Sequence, residues 1–221
     1  MDKHIKNLVR RYPALDPCAA TMQAALDLLV TAFENGGKLL LCGNGGSTAD
    51  CDHIVGELMK AFMRPRPIPA AHRAALGRLG AEGLVLADVI QGGLPCVALT
   101  GHTALNFAIA NDVRADVTFA QQVYVLGRAG DIVWGLSTSG NSRNVVNAFR
   151  VAPMLGLRTL AFTGQGGGLL GQMADVAVRV PATTTAEIQE LHLPAYHAIC
   201  AALEEHFFGT QNATATLPPV E

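Results

Sequence analysis

No apolar run in this sequence reaches the 18 or so residues needed to span a bilayer, which excludes an ordinary transmembrane helix. The first residues, MDKHIKNLVRRYP, also lack the apolar stretch of a secretory signal, so a cytoplasmic location is expected. The sequon at Asn212 then has no use, because glycosylation needs a secreted chain. Charge is scarce too: 15% of the residues carry it, the net value is −2, and no basic block extends beyond Arg64-Pro65-Arg66. Neither nucleic acid nor an anionic membrane would find an electrostatic footprint here. Five cysteines (Cys18, Cys42, Cys51, Cys96, Cys200) make an odd number and contain no C-x-x-C pair. A disulfide framework and a cysteine zinc cluster are thereby excluded, and the five read as small core residues in a reducing compartment.

What the sequence has in quantity is apolar residues, half of the 221. A single domain of this size buries roughly 70% of its unfolded surface, and the surplus of apolar residues over charged ones points to a homo-oligomer.

Along the chain, short continuous apolar runs alternate with segments of helical spacing. The runs are Lys38 to Cys42, Pro95 to Thr100, Asp131 to Ser137, Leu157 to Thr163 and Val176 to Val180. Five buried strands alternating with helices predict an α/β fold with a doubly wound, five-stranded parallel sheet flanked by helices. An extra N-terminal helix is expected over about 15–35, stopped by Asn35-Gly36-Gly37. Residues 63–93 open with Pro65, Pro67 and Pro69 and continue through Ala- and Leu-rich stretches, which predicts a helical insertion of one or two short helices. The polar stretch 210–221 is expected to be a disordered tail on a single domain covering 1–209.

Two loops are rich in chemistry. Gly43-Asn44-Gly45-Gly46-Ser47 leaves the first strand and enters a helix, presenting free backbone N–H groups to an anion or a sugar hydroxyl. Thr48 stands where a dinucleotide fingerprint needs its third glycine, and the lysine of a nucleotide phosphate loop is missing, so a nucleotide is disfavoured. The second loop, Ser137-Thr138-Ser139-Gly140-Asn141-Ser142, offers four hydroxyls beside a helix N-terminus, a donor set suited to a small monophosphate. His53 and Glu57, four apart on the helix after the first loop, share a face and form a metal or acid/base candidate. The last helix, from Thr185 to Phe208, carries Gln189, Glu190, His192, Tyr196 and His197, with Pro194 expected to kink or loosen one turn. Spacing does not choose between its two histidines. Asp112 is either a ligand or a helix cap, while His4, His72, His102 and His206 read as surface or packing residues.

Taken in order, CGNGGSTADCDHIVGEL, AIANDV, GLSTSGNSRNV, LRTLAFTGQGG and AEIQELHLPAYH resemble the phosphoheptose isomerase branch of the SIS (sugar isomerase) family over about residues 15 to 208. The resemblance implies that Ser137, Thr138, Ser139 and Ser142 hold a phosphate. It implies further that Asn44, Gly45, Gly46, Ser47, Asn111, Asp112 and Gln189 contact the sugar or shape its pocket. A divalent metal, commonly Zn2+, would be held by His53, Glu57, Gln189 and His197, and this match selects His197 over His192. Glu57 and His197 would be the catalytic base and acid. The implied reaction converts sedoheptulose 7-phosphate to glycero-manno-heptose 7-phosphate in a homotetramer with sites between subunits. The long connection at 63–93 departs from the family pattern and bears on substrate identity. A phosphosugar-binding regulator or protein-interaction tetramer of the same fold is the alternative.

Overall fold

The computed structural model describes residues 1–209; the tail expected over 210–221, with its sequon, lies outside the described residues. In chain order the chain forms helix α1 (Lys3–Arg11), a 3₁₀ turn (Pro13–Cys18), α2 (Ala19–Glu34), strand β1 (Leu39–Gly43) and α3 (Gly46–Met59). Then come α4 (Ala70–Gly77), α5 (Ala81–Val89), β2 (Cys96–Ala98), α6 (Thr103–Ile109), α7 (Thr118–Leu126), β3 (Ile132–Leu136) and α8 (Arg143–Val151). The last elements are β4 (Arg158–Thr163), α9 (Gly168–Met173), β5 (Val176–Arg179) and α10 (Thr185–Phe208).

All five strands are parallel, in the order β2-β1-β3-β4-β5. Alternation of side chains divides the core in two. Leu39, Leu41, Ile132, Trp134, Leu160 and Phe162 face α2, α3 and α10, whereas Leu40, Val133 and Ala161 face α7 and α8. Strands β1 and β3 are buried from end to end, which is why they read as unbroken apolar runs. All five cysteines are free and buried, and burial pushes the thiols of Cys42 and Cys96 up to about 12, as small inert core residues. Among the described residues no helix is long and apolar enough to cross a membrane.

The N-terminal region holds more than the one helix expected there. The N-terminal helix is two helices: α1 stands before the expected one, because Pro13 and Pro17 confine the stretch between to a 3₁₀ turn. α10 runs unbroken through Pro194, which loosens one turn by leaving the Glu190 carbonyl without its usual donor. His4 meets Glu205 at 2.8 Å and His206 meets Glu34 at 2.9 Å.

The insertion is a hairpin of α4 and α5. Its two ends are tied together where Pro67 bridges Gln91 and where Gly92 N–H donates to the Arg66 carbonyl at 2.7 Å. Arg66 is wholly buried at this root. It donates to the Glu204 carboxylate at 2.9 Å and to the backbone carbonyls of Leu58 and Glu57 at 2.7 and 2.8 Å. Glu204, also buried, accepts in addition from the N–H groups of Phe62 and Met63. The hairpin is therefore anchored on the C-terminal turn of α3 and on α10.

Candidate functional site

A sheet ordered 2-1-3-4-5 reverses direction between β1 and β3, and the crevice beyond the carboxyl ends of those strands is where such folds bind ligands. Both chemistry-bearing loops lie there, the glycine loop after β1 and the hydroxyl loop after β3. Asn44 and Asn144 span the crevice by exchanging amide hydrogen bonds of 2.8 and 2.9 Å. A cavity of about 280 Å³ opens beside them, lined by Gly43, Asn44, Gly45, Thr48, Thr100 and Asn144 among others. Ala110 and Ala115 also line it, on the segment that carries Asn111 and Asp112. Those two residues sit exposed in the π-helical turn Ala110–Arg114 and bond to each other at 2.8 Å.

In the hydroxyl loop, Ser137 is buried and its Oγ lies 2.9 Å from Ser142 Oγ, at the start of α8. Ser139 is exposed, with its Oγ accepting from Asn141 N–H at 3.2 Å. The loop is braced from behind by residues 164–170. Thr138 O accepts from Gly164 N–H, Gly140 O accepts from Leu170 N–H, and Asn141 Oδ1 accepts from Leu169 N–H. Gly140 has a φ of +67°, and a Cβ there would lie 1.9 Å from the Gly167 carbonyl oxygen, so this bracing requires glycine. In the glycine loop, Ser47 is buried and Gly46 lies against Gln189: a Cβ on Gly46 would stand 2.6 Å from Gln189 Nε2. Gln189 thus meets the glycine loop.

Farther along α3, His53 Nε2 is 3.1 Å from Glu57 Oε1 and 3.2 Å from His197 Nε2. Among the described residues His53, Glu57 and His197 are the group whose ligand atoms, all within 4.8 Å of one another, could hold a metal ion. Burial lowers the His197 pKa, and the neighbouring His53 lowers it further against an opposing pull from Glu57. Glu57 Oε2 is buried with no hydrogen-bond partner. Two imidazoles and a carboxylate converging with an unsatisfied oxygen form a donor set that fits a divalent cation such as zinc. His192, by contrast, is fully buried against Phe162, so the structure separates the two histidines that spacing left equivalent. Sequence reading overlooked Asn144, and it gave no role to Tyr196 or to Asp50, whose side chains stand behind His53.

The model of the SIS domain matches residues 4–76 and 78–164. The chain is 38% identical over 192 residues to the phosphoheptose isomerase of Burkholderia pseudomallei, covering 87% of this chain and 85% of that protein. It is 40% identical over 181 residues to a probable phosphoheptose isomerase of Thermoplasma acidophilum, covering 82% and 86%. Among solved structures it is similar to the phosphoheptose isomerase of Neisseria gonorrhoeae, with a TM-score of 0.71, 34% identity, and 91% and 95% of the two chains covered.

Proposed function

The chain belongs to the SIS domain family, in its phosphoheptose isomerase branch of aldose-ketose phosphosugar isomerases, and from that premise we propose that it converts sedoheptulose 7-phosphate to D-glycero-D-manno-heptose 7-phosphate. The observation that carries this reading is the convergence of His53, Glu57 and His197 on α3 and α10, two helices that also meet at the glycine loop through Gln189. Ser137, Thr138, Ser139 and Ser142 bind the phosphate, with the N-terminus of α8 adding its dipole. Asn44, Gly45, Gly46, Ser47, Asn111, Asp112 and Gln189 line the path of the sugar chain.

Interconversion of a 2-ketose and an aldose removes a proton from C1, passes through an enediol, and returns a proton to C2. Glu57 is the base, moving the proton from C1 to C2, and its unpartnered Oε2 has no competing donor. His197 is the partner acid, exchanging a proton with the substrate oxygens, and positioned transfers of this kind contribute roughly 10²- to 10⁴-fold each. Zn2+ held by His53, Glu57 and His197, with Gln189 as a further ligand, would supply a Lewis acid that polarises the carbonyl oxygen.

The working unit is a cytoplasmic homotetramer with sites between subunits. Support comes from the large apolar side chains left exposed, among them Phe107, Val113, Val85 and Leu79 at 62–73% exposure. The test is an isomerisation assay on sedoheptulose 7-phosphate with zinc-supplied protein, a chelator-treated control and the Glu57→Gln variant. Turnover should be abolished by the chelator and reduced at least about 100-fold by the substitution. A wild-type chain inactive on this sugar overturns the substrate, chelator-resistant turnover overturns the metal, and an active Glu57→Gln overturns the base.

A further inference from the structure

Behind the cluster, on the side away from Glu57 and His197, three side chains form a line. The Tyr196 hydroxyl lies 3.0 Å from His53 Nδ1 and 3.2 Å from Asp50 Oδ1. The Tyr196 ring packs edge-on to His53 at a centroid distance of 5.6 Å, and the whole residue is buried. The second oxygen of Asp50, Oδ2, is buried too and has no hydrogen-bond partner. All three residues lie on the elements that build the cluster: Asp50 one turn before His53 on α3, and Tyr196 beside His197 on α10.

Donor and acceptor capacities fix how this line is wired. A phenol has one proton to give, and an ionised carboxylate can only accept. The Tyr196 O–H therefore goes to Asp50, and the Tyr196 oxygen accepts from His53 Nδ1–H. The imidazole is left with its Nε2 lone pair facing Glu57 Oε1 at 3.1 Å and His197 Nε2 at 3.2 Å. A bare imidazole nitrogen facing a carboxylate oxygen is a meeting of acceptors, which a cation resolves.

We propose that Tyr196 and Asp50 are positioning residues for a metal-binding His53, selecting the tautomer that offers Nε2 and holding the ring plane toward Glu57 and His197. The proposal deepens the metal reading given above and rests on it. The phenol relays the carboxylate's pull to the ring without itself touching metal or substrate. Outer partners of ligating histidines contribute about ten- to a hundred-fold to metal affinity.

The test is zinc affinity of the full chain, stripped of metal and titrated with zinc against a chromophoric chelator, for wild type and for Tyr196→Phe. The substitution keeps the packed ring and deletes only the hydroxyl. The expected result is about a ten- to hundred-fold weaker affinity, with the melting temperature of the metal-free chain unchanged. Asp50→Asn, which keeps an acceptor and loses the charge, should weaken affinity by a smaller factor. Wild-type binding matched by Tyr196→Phe within twofold overturns this proposal and leaves the metal reading standing. A wild-type chain that binds no zinc overturns both. A loss of affinity accompanied by a lowered melting temperature of the metal-free chain assigns Tyr196 to packing and overturns the positioning role.

Discussion

His192 and His197 are five residues apart on α10, which turns them about 140° away from each other around the helix. That rotation gives them opposite fates. His197 faces α3 and the cluster, whereas His192 is fully buried against Phe162 of β4, and burial pushes its pKa down to about 4. The Thr163 backbone pulls the other way only weakly, since neither ring nitrogen makes a full hydrogen bond. The native chain therefore holds His192 neutral where the unfolded chain, with an ordinary histidine pKa of about 6.5, would protonate it. Below that pH the unfolded state binds the extra proton, so stability is present above pH 6.5 and is lost as pH falls toward 4. The shift corresponds to about 3 kcal/mol at its full extent. His192→Leu should flatten the acid limb of stability against pH over that window, as measured by denaturant unfolding at several pH values. An acid limb of unchanged slope would remove His192 as its source.

At the scale of elements, the two loops and the His53–Glu57 pair were legible because their signals are local. Glycines and hydroxyls between an apolar run and a helical pattern mark a strand-loop-helix junction, and a four-residue spacing puts two side chains on one face. The root of the insertion was not legible for the opposite reason. Arg66, in a proline-broken connection, reads as an exposed charge, and Glu204 reads as the polar face of a terminal helix; only closure of α10 against α3 buries them as a pair. The same holds for Tyr196, whose hydroxyl finds Asp50 146 positions earlier in the chain. Buried pairs of this kind lose most when halved. Glu204→Ala leaves a buried guanidinium and the Phe62 and Met63 N–H groups unpaired, and should cost about 3–5 kcal/mol in urea unfolding. Arg66→Met combined with Glu204→Leu should recover part of that loss, because no unpaired charge remains. A single variant of wild-type stability would mean that solvent reaches the pair.

For the whole molecule, five apolar runs announce a parallel sheet joined by right-handed crossovers, whereas its order β2-β1-β3-β4-β5, from which the crevice follows, is visible only in the structure. The hairpin of α4 and α5 stands apart from this logic. No residue of α4 is buried, and α5 buries only Gly83 and Ala87 while Leu84, Val85, Leu86 and Val89 stay exposed. It adds little to the core. Replacing residues 70–89 by a short Gly-Ser link should therefore leave circular dichroism and melting of the single chain nearly unchanged, while sedimentation should show a smaller assembly. Collapse of the fold would instead make the hairpin part of the core.

The position of α10 governs when the protein can become an enzyme during its synthesis. Its far end holds α1 through Glu205, which takes Lys3 and His4, and its middle brings His197 to a His53 made 144 positions earlier. The larger half of the core mixes residues of α1, α2 and α3 with those of α10. A ribosome-bound chain that has released both loops and all five strands still lacks the α10 face against which α1, α2 and α3 also pack, and it exposes that apolar surface until the last helix emerges. Distant contacts of this kind slow folding and leave incomplete chains prone to association. The cluster of His53, Glu57 and His197 is thus completed last, so chains truncated before α10 should aggregate rather than turn over any sugar.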